Sequence, residues 1–342
     1  MTYLKALGFV FLIPFIVFLF YITVFRSLHI GTDYSMYYGF YLRGDYARFF
    51  DYFIILIFDF ARSQGNFLIF TFIVTGLFLI FNLWAIRRIS YNFFVSFTIF
   101  ILSFYFFFIY NGMRQAVAIS LIFMAIYYIQ KKELKVRDML RYFFFMILAS
   151  LFHFSAIYLL PLFVLRFLRI NRLMVIISFF LTALSYFTPF TKDIYTSLLM
   201  NFDFYVEKYE GQPNAFFSVN KEKTWVEFMP IFIQFIFLYY SLTLAKIKTV
   251  SNHFIINYYL AFLILYSGSG IEAIDRLQFY FYPSIILFYD YLIYAVNAKK
   301  KNKISKDHLA LGNLIILSSV SFWFLYFIVR VLQGTQGINP NI

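Results

Sequence analysis

The chain has 342 residues and a formal net charge of +13; 63% of its residues are hydrophobic, 25% aromatic and only 13% charged. That balance excludes an ordinary soluble domain and points to a polytopic membrane protein, in which excess positive charge marks cytoplasmic loops rather than a nucleic-acid partner. Cysteine is absent, excluding disulfides and thiolate chemistry, and the four histidines, His29, His153, His253 and His308, show no metal-ligand spacing.

Apolar spans of about 17–25 residues are long enough to cross a bilayer. The first covers residues 6–25, after one lysine and with no small-residue cleavage site behind it, so it is expected to be a membrane helix and not a cleaved signal. Residues 26–66 form an outer loop that opens with Gly31-Thr32-Asp33-Tyr34. Within it Arg48, Asp51, Asp59 and Arg62 fall within about 80° of one another on a helical wheel, which predicts a helix lying in the interface and covering a site from one side. Spans follow at 67–86, 91–109 and 113–130. A polar knot, Tyr110-Asn111-Gly112-Met113-Arg114-Gln115, separates the last two. Asn111 is expected to cap the next helix, with Arg114 and Gln115 in its first turn. A helix N-terminus carrying an arginine suits phosphate, although an arginine snorkelling at the interface gives the same pattern.

Residues 139–168 make one long apolar stretch interrupted at Phe152-His153-Phe154-Ser155. As a single helix of that length it would reach about 45 Å, too long for a core of roughly 30 Å. As two limbs turning at His153, each about 20 Å, it is a half-buried hairpin. Charge favours the hairpin. With the amino terminus inside, most of the 29 Lys and Arg then fall on the inner side and most of the 16 Asp and Glu on the outer side. Further spans lie at 173–187, 225–244, 254–267, 277–296 and 309–329, with a second long outer loop at 190–224. The expected fold is a single all-α polytopic membrane domain over residues 1–342, with about 11 transmembrane or re-entrant helices, an outer-face cavity and an external carboxyl terminus.

The polar groups that carry chemistry collect on the expected outer face. Asp33 is a candidate general base or a helix cap; His153 is a second candidate base or a hydrogen-bonded turn residue. Arg276 is a candidate second cation for the anion held by Arg114, or the partner of Asp275. Tyr34, Tyr37, Tyr205 and Tyr209 are candidate stacking surfaces for sugars.

Four blocks in order, Gly31-Thr32-Asp33-Tyr34, Tyr110 to Ala118, Leu151-Phe152-His153-Phe154-Ser155-Ala156-Ile157 and Asp275-Arg276-Leu277-Gln278-Phe279-Tyr280, resemble the EpsG-like family, grouped with Wzy-type O-antigen and exopolysaccharide polymerases. The resemblance implies a fold similar to the large helical membrane glycosyltransferases of GT-C type, with the amino terminus inside the bacterial cytoplasmic (inner) membrane and the active face periplasmic or extracellular. It implies that undecaprenyl-diphosphate-linked repeat units are joined there, with lipid diphosphate as leaving group, no nucleotide sugar, no cofactor and no nucleic-acid partner. Membrane lipid and a chain-length regulator are the other expected partners. Arg114, Arg276, Asn111 and Gln115 would then hold the lipid diphosphate, and Asp33 or His153 would take the acceptor proton without a metal. A lipid-phosphate-sugar-dependent transferase and a lipid-linked glycan flippase are the competing readings. The first lacks paired carboxylates beside Asp33, and the second lacks polar residues through the inner half. A membrane acyltransferase has only the lone His153 in its favour.

Overall fold

The computed structural model describes residues 2–31, 33–46, 50–188, 225–244, 250–266, 277–301, 314, 317–318 and 321–329. Among them every regular element is a helix and none is a strand. In chain order they are α1 (Thr2–Val24), α2 (Tyr34–Arg43), α3 (Tyr52–Ser63), α4 (Phe67–Ile89), α5 (Phe93–Leu102), a 3-10 turn (Phe106–Tyr110), α6 (Met113–Ile129) and α7 (Val136–Phe152). A 3-10 helix (Phe154–Arg166) follows, then α8 (Arg172–Phe187), α9 (Trp225–Leu244), α10 (Val250–Tyr266), a 3-10 turn (Phe279–Phe281) and α11 (Tyr282–Lys301). Among the described residues, two helical segments, Phe67–Ile89 and Phe279–Val296, are long and apolar enough to cross a bilayer. The molecule is a helical bundle of the composition expected in a membrane.

Asparagine sets three of the starts. The side chains of Asn66, Asn92 and Asn171 accept from Leu68 N, from Phe94 N and Val95 N, and from Met174 N, satisfying donors that the first turns of α4, α5 and α8 cannot pair internally. The core is built around α6. All of its 17 residues except Arg114 and Tyr127 are buried, and α4 and α7 make the most extensive contacts with it. Ala116, Ala118, Ser120 and Ala125 supply the small side chains that let neighbouring helices approach closely. By contrast Leu140, Phe144 and Ile147 of α7 and Leu173, Ile177, Phe180 and Leu181 of α8 point large apolar groups outward, as surfaces facing hydrocarbon do.

The long stretch at 139–168 breaks at His153, whose backbone is extended (φ −156°, ψ 108°). The return limb packs against α7, and Tyr142 Oη donates to Leu159 O at 3.2 Å and to Leu160 O at 3.0 Å across the hairpin. The limbs are longer than the expected 20 Å. Seventeen α-helical residues rise about 26 Å, and thirteen 3-10 residues, at about 2.0 Å each, rise the same. The 3-10 geometry lets the shorter limb match the longer one.

Three expectations change. Residues 91–109 do not form one span: α5 ends at Leu102, and Phe104 adopts φ 63°, a left-handed conformation uncommon for a bulky side chain. Phe104 is buried against Phe107, Tyr326 and Phe327, and that packing holds the break. Residues 26–66 carry two helices, α2 and α3, and Asp51 precedes α3 in extended conformation instead of lying on its polar face. The half of the bundle expected to lie on the inner side carries a buried acid. Asp290 of α11 is buried and accepts from Tyr91 N at 2.5 Å and Asn92 N at 2.9 Å, tying α11 to the start of α5.

Candidate functional site

The site lies at the end of the bundle where α6 begins and α7 ends. Arg114 stands in the first turn of α6, and His153 is the residue at which α7 stops. Between them sits a residue that the sequence offers only as part of an interfacial helix, Asp51. Its Oδ2 accepts from Arg114 Nη1 at 2.9 Å and lies 3.4 Å from His153 Nδ1. Its Oδ1 accepts the backbone N–H of Phe154 at 3.0 Å. One carboxylate thus joins three segments of chain. Burial alone pushes the Asp51 carboxyl up, but the hydrogen bond with His153, the charge of Arg114 and the Phe154 N–H outweigh it and hold it below its ordinary value.

Arg114 is fixed on several sides. Its Nε donates to Tyr37 Oη at 3.1 Å, and its guanidinium lies 4.9 Å from the centre of the Phe50 ring. The side chain is still 23% exposed, so an incoming anion can reach it. His153 is similarly placed, 21% exposed, with its ring parallel to Tyr280 at 6.4 Å. Tyr280 Oη also lies 2.8 Å from Ser155 Oγ, bringing the last of the four sequence blocks to the third.

Two glycines make this convergence possible. Gly31 has φ +93°, and a Cβ there would lie 2.1 Å from Tyr110 O, so only glycine lets the segment between α1 and α2 pack on the backbone before α6. A Cβ on Gly112 would lie 2.5 Å from the ring of Phe108. Gly112, and not Asn111, occupies the N-cap position of α6. Asn111 instead ends the preceding 3-10 turn. The expected asparagine cap is corrected because the 3-10 turn runs through Tyr110, leaving Asn111 one position too early.

The other candidates divide. Asp33 immediately precedes α2 but its side chain does not cap it; it lies within electrostatic reach of both Arg114 and Arg26. Gln115 is buried in the first turn of α6. Tyr34 and Tyr37 are 2% and 1% exposed, which corrects their assignment as sugar platforms. Tyr37 packs its ring against Phe50, Phe58 and Phe70 and serves Arg114 with its hydroxyl. Arg276, Tyr205 and Tyr209 lie outside the described residues. A cavity of about 220 Å³ lies among α5, α11 and the 321–329 helix, lined by Phe94, Leu102, Tyr289, Trp323 and neighbours; none of the candidate site residues lines it.

Arg26, just past the end of α1, is a second buried cation at this end. Its guanidinium lies 4.2 Å from the Tyr34 ring centre and 4.9 Å from that of Tyr110, and Nη2 meets Met113 Sδ at 3.3 Å. Desolvated cation–π contacts offset about 2 kcal/mol each, less than the several kcal/mol that burying a charge costs.

The EpsG family model matches residues 9–340, nearly the whole chain. The chain belongs to the EpsG family. No curated protein and no solved structure matches it. EpsG membership, a polymerase-type assignment, agrees with the helical, apolar-rich architecture, and all four sequence blocks fall within the matched region.

Proposed function

We propose that this protein is a metal-independent polysaccharide polymerase that joins undecaprenyl-diphosphate-linked repeat units at the outer face of the bacterial cytoplasmic membrane. The observation that carries the reading is Asp51 bridging Arg114 and His153. A glycosyl transfer of this kind needs a base for the acceptor hydroxyl and a cation for the departing diphosphate, and that bridge holds one of each side by side.

His153 is the base of choice over Asp33. The Asp51 carboxylate at Nδ1 favours the tautomer with hydrogen on Nδ1, leaving Nε2 to accept a proton. The acceptor oxygen attacks the anomeric carbon of the donor glycan, and its proton passes to Nε2. The bond from that carbon to the diphosphate oxygen breaks, and the lipid diphosphate leaves with the electron pair. Arg114, beside the N-terminus of α6, neutralises the charge that develops there. Gln115 and Asn111 shape the same end of α6. Asp33 adds a negative potential near both arginines and assists by orienting them.

The test is purified protein supplied with one defined undecaprenyl-diphosphate repeat unit. A ladder of products is expected, and Arg114→Gln and His153→Gln should each reduce it at least about a hundredfold. A single addition product, or translocation of the lipid without bond formation, would overturn the proposal.

A further inference from the structure

We infer that Arg26 is a phosphate ligand, the second guanidinium of a clamp completed by Arg114 and placed to take the second phosphate of the lipid diphosphate. The inference rests on the lipid-diphosphate reading above, and extends it to a residue outside the four sequence blocks. Arg26 is 7% exposed, and its Nε and Nη1 are buried with no hydrogen-bond partner among the described residues. Burial pulls it down to about 10, with Tyr34, Tyr110, Tyr37 and Asp33 opposing, so it remains a cation at neutral pH. A buried cation with two unpaired donors calls for an anion. Aromatic rings supply charge compensation but no acceptor lone pairs, whereas a phosphate supplies both.

Its position indicates which anion. Arg26 touches Met113, the first residue of α6, and the next residue is Arg114. The helix start between them has no side-chain cap, and the backbone of Arg114 is hydrogen-bonded to Tyr37. Asp33 and Tyr37 lie within electrostatic reach of both guanidiniums. Tyr34 and Tyr110 close over Arg26. Inside, shielded from water, a fork-shaped donor is worth more than a point charge.

The full-length protein in lipid nanodiscs tests this with three probes: undecaprenyl diphosphate, undecaprenyl monophosphate and inorganic pyrophosphate. The wild type should bind the diphosphate lipid more tightly than the monophosphate. Arg26→Gln should remove that preference, weakening diphosphate binding about tenfold to a hundredfold while leaving the monophosphate within about twofold. Arg114→Gln should weaken both. Arg26→Lys keeps the charge among the rings but loses the fork, and should fall in between; it decides the matter if Arg26→Gln has a lowered thermal midpoint. Wild-type preference retained in a folded Arg26→Gln protein, or in Arg26→Lys when the glutamine variant does not fold, would overturn the inference. Arg26-dependent binding of pyrophosphate with no binding of either lipid would sustain the anion site and sink the lipid reading. No binding of any phosphate by the wild type would sink both.

Discussion

Asp51 and His153, 102 residues apart, meet with carboxylate Oδ2 3.4 Å from ring Nδ1. The carboxylate favours the protonated imidazole, as any neighbouring anion does. Asp51→Asn should therefore move the acid limb of the pH–rate profile to lower pH and reduce the rate of ladder formation by about tenfold to a hundredfold. An unchanged profile would mean that His153 is not the titrating base.

The same carboxylate leaves a mark on stability. Because its folded value lies below the ordinary 3.8, its contribution is fully present above that value and drains away as pH falls through the lower, folded one. The thermal midpoint of the wild type should therefore fall more steeply below about pH 4 than that of Asp51→Asn. Parallel curves for the two proteins would contradict the pairing.

Tyr37→Phe removes only the hydroxyl that accepts from Arg114 Nε at 3.1 Å, while the ring keeps its place among Phe50, Phe58 and Phe70. Polymer yield per folded molecule should drop about tenfold to a hundredfold, the worth of one hydrogen bond to a charged group, with little change in thermal midpoint. A fall in the midpoint without loss of activity would make the hydroxyl structural.

Gly31 and Gly65 both have left-handed backbones, at φ +93° and +65°, but a Cβ on Gly65 meets nothing within 4 Å. Gly65→Ala should cost only the conformational penalty of about 1–2 kcal/mol. Gly31→Ala must also part the segment between α1 and α2 from Tyr110 O, and should abolish activity even where protein accumulates. Comparing folded yield and activity of the two variants separates the two effects.

Arg166 is buried and donates to the carbonyls of Ile129, Lys131 (2.5 Å) and Lys132 (2.9 Å), closing the C-terminal end of α6. Arg166→Met should cost about 2–4 kcal/mol by leaving those acceptors buried without donors. Thermal unfolding in detergent would measure it; a neutral result would show that water replaces the guanidinium.

Sequence reading found the features that are local. The break at His153 announces itself as polar residues inside an apolar run, and Arg114 as a charge at a helix start. Asp51 reads in the sequence as part of the polar face of a helix, because its partners lie 63 and 102 residues away and nothing local marks them. The break at Phe104 left no trace, since the residues that hold it are as apolar as those of an unbroken span. The cap of α6 was misplaced by one residue because a 3-10 turn and a coil read alike in Phe106–Tyr110. Arg26 carried the pattern of an ordinary interfacial arginine, and only its enclosure by Tyr34, Tyr110 and Met113 sets it apart.

The burial of α6 has a mechanical consequence. A helix packed on nearly every side and tied at its far end by Arg166 cannot tilt or slide without disturbing the whole bundle. Arg114 is thus mounted on a helix buried on nearly every side, whereas Asp51 and Tyr34 arrive on the shorter α2–α3 segment. α6 is the wall against which the α2–α3 segment sets Asp51 and Tyr37.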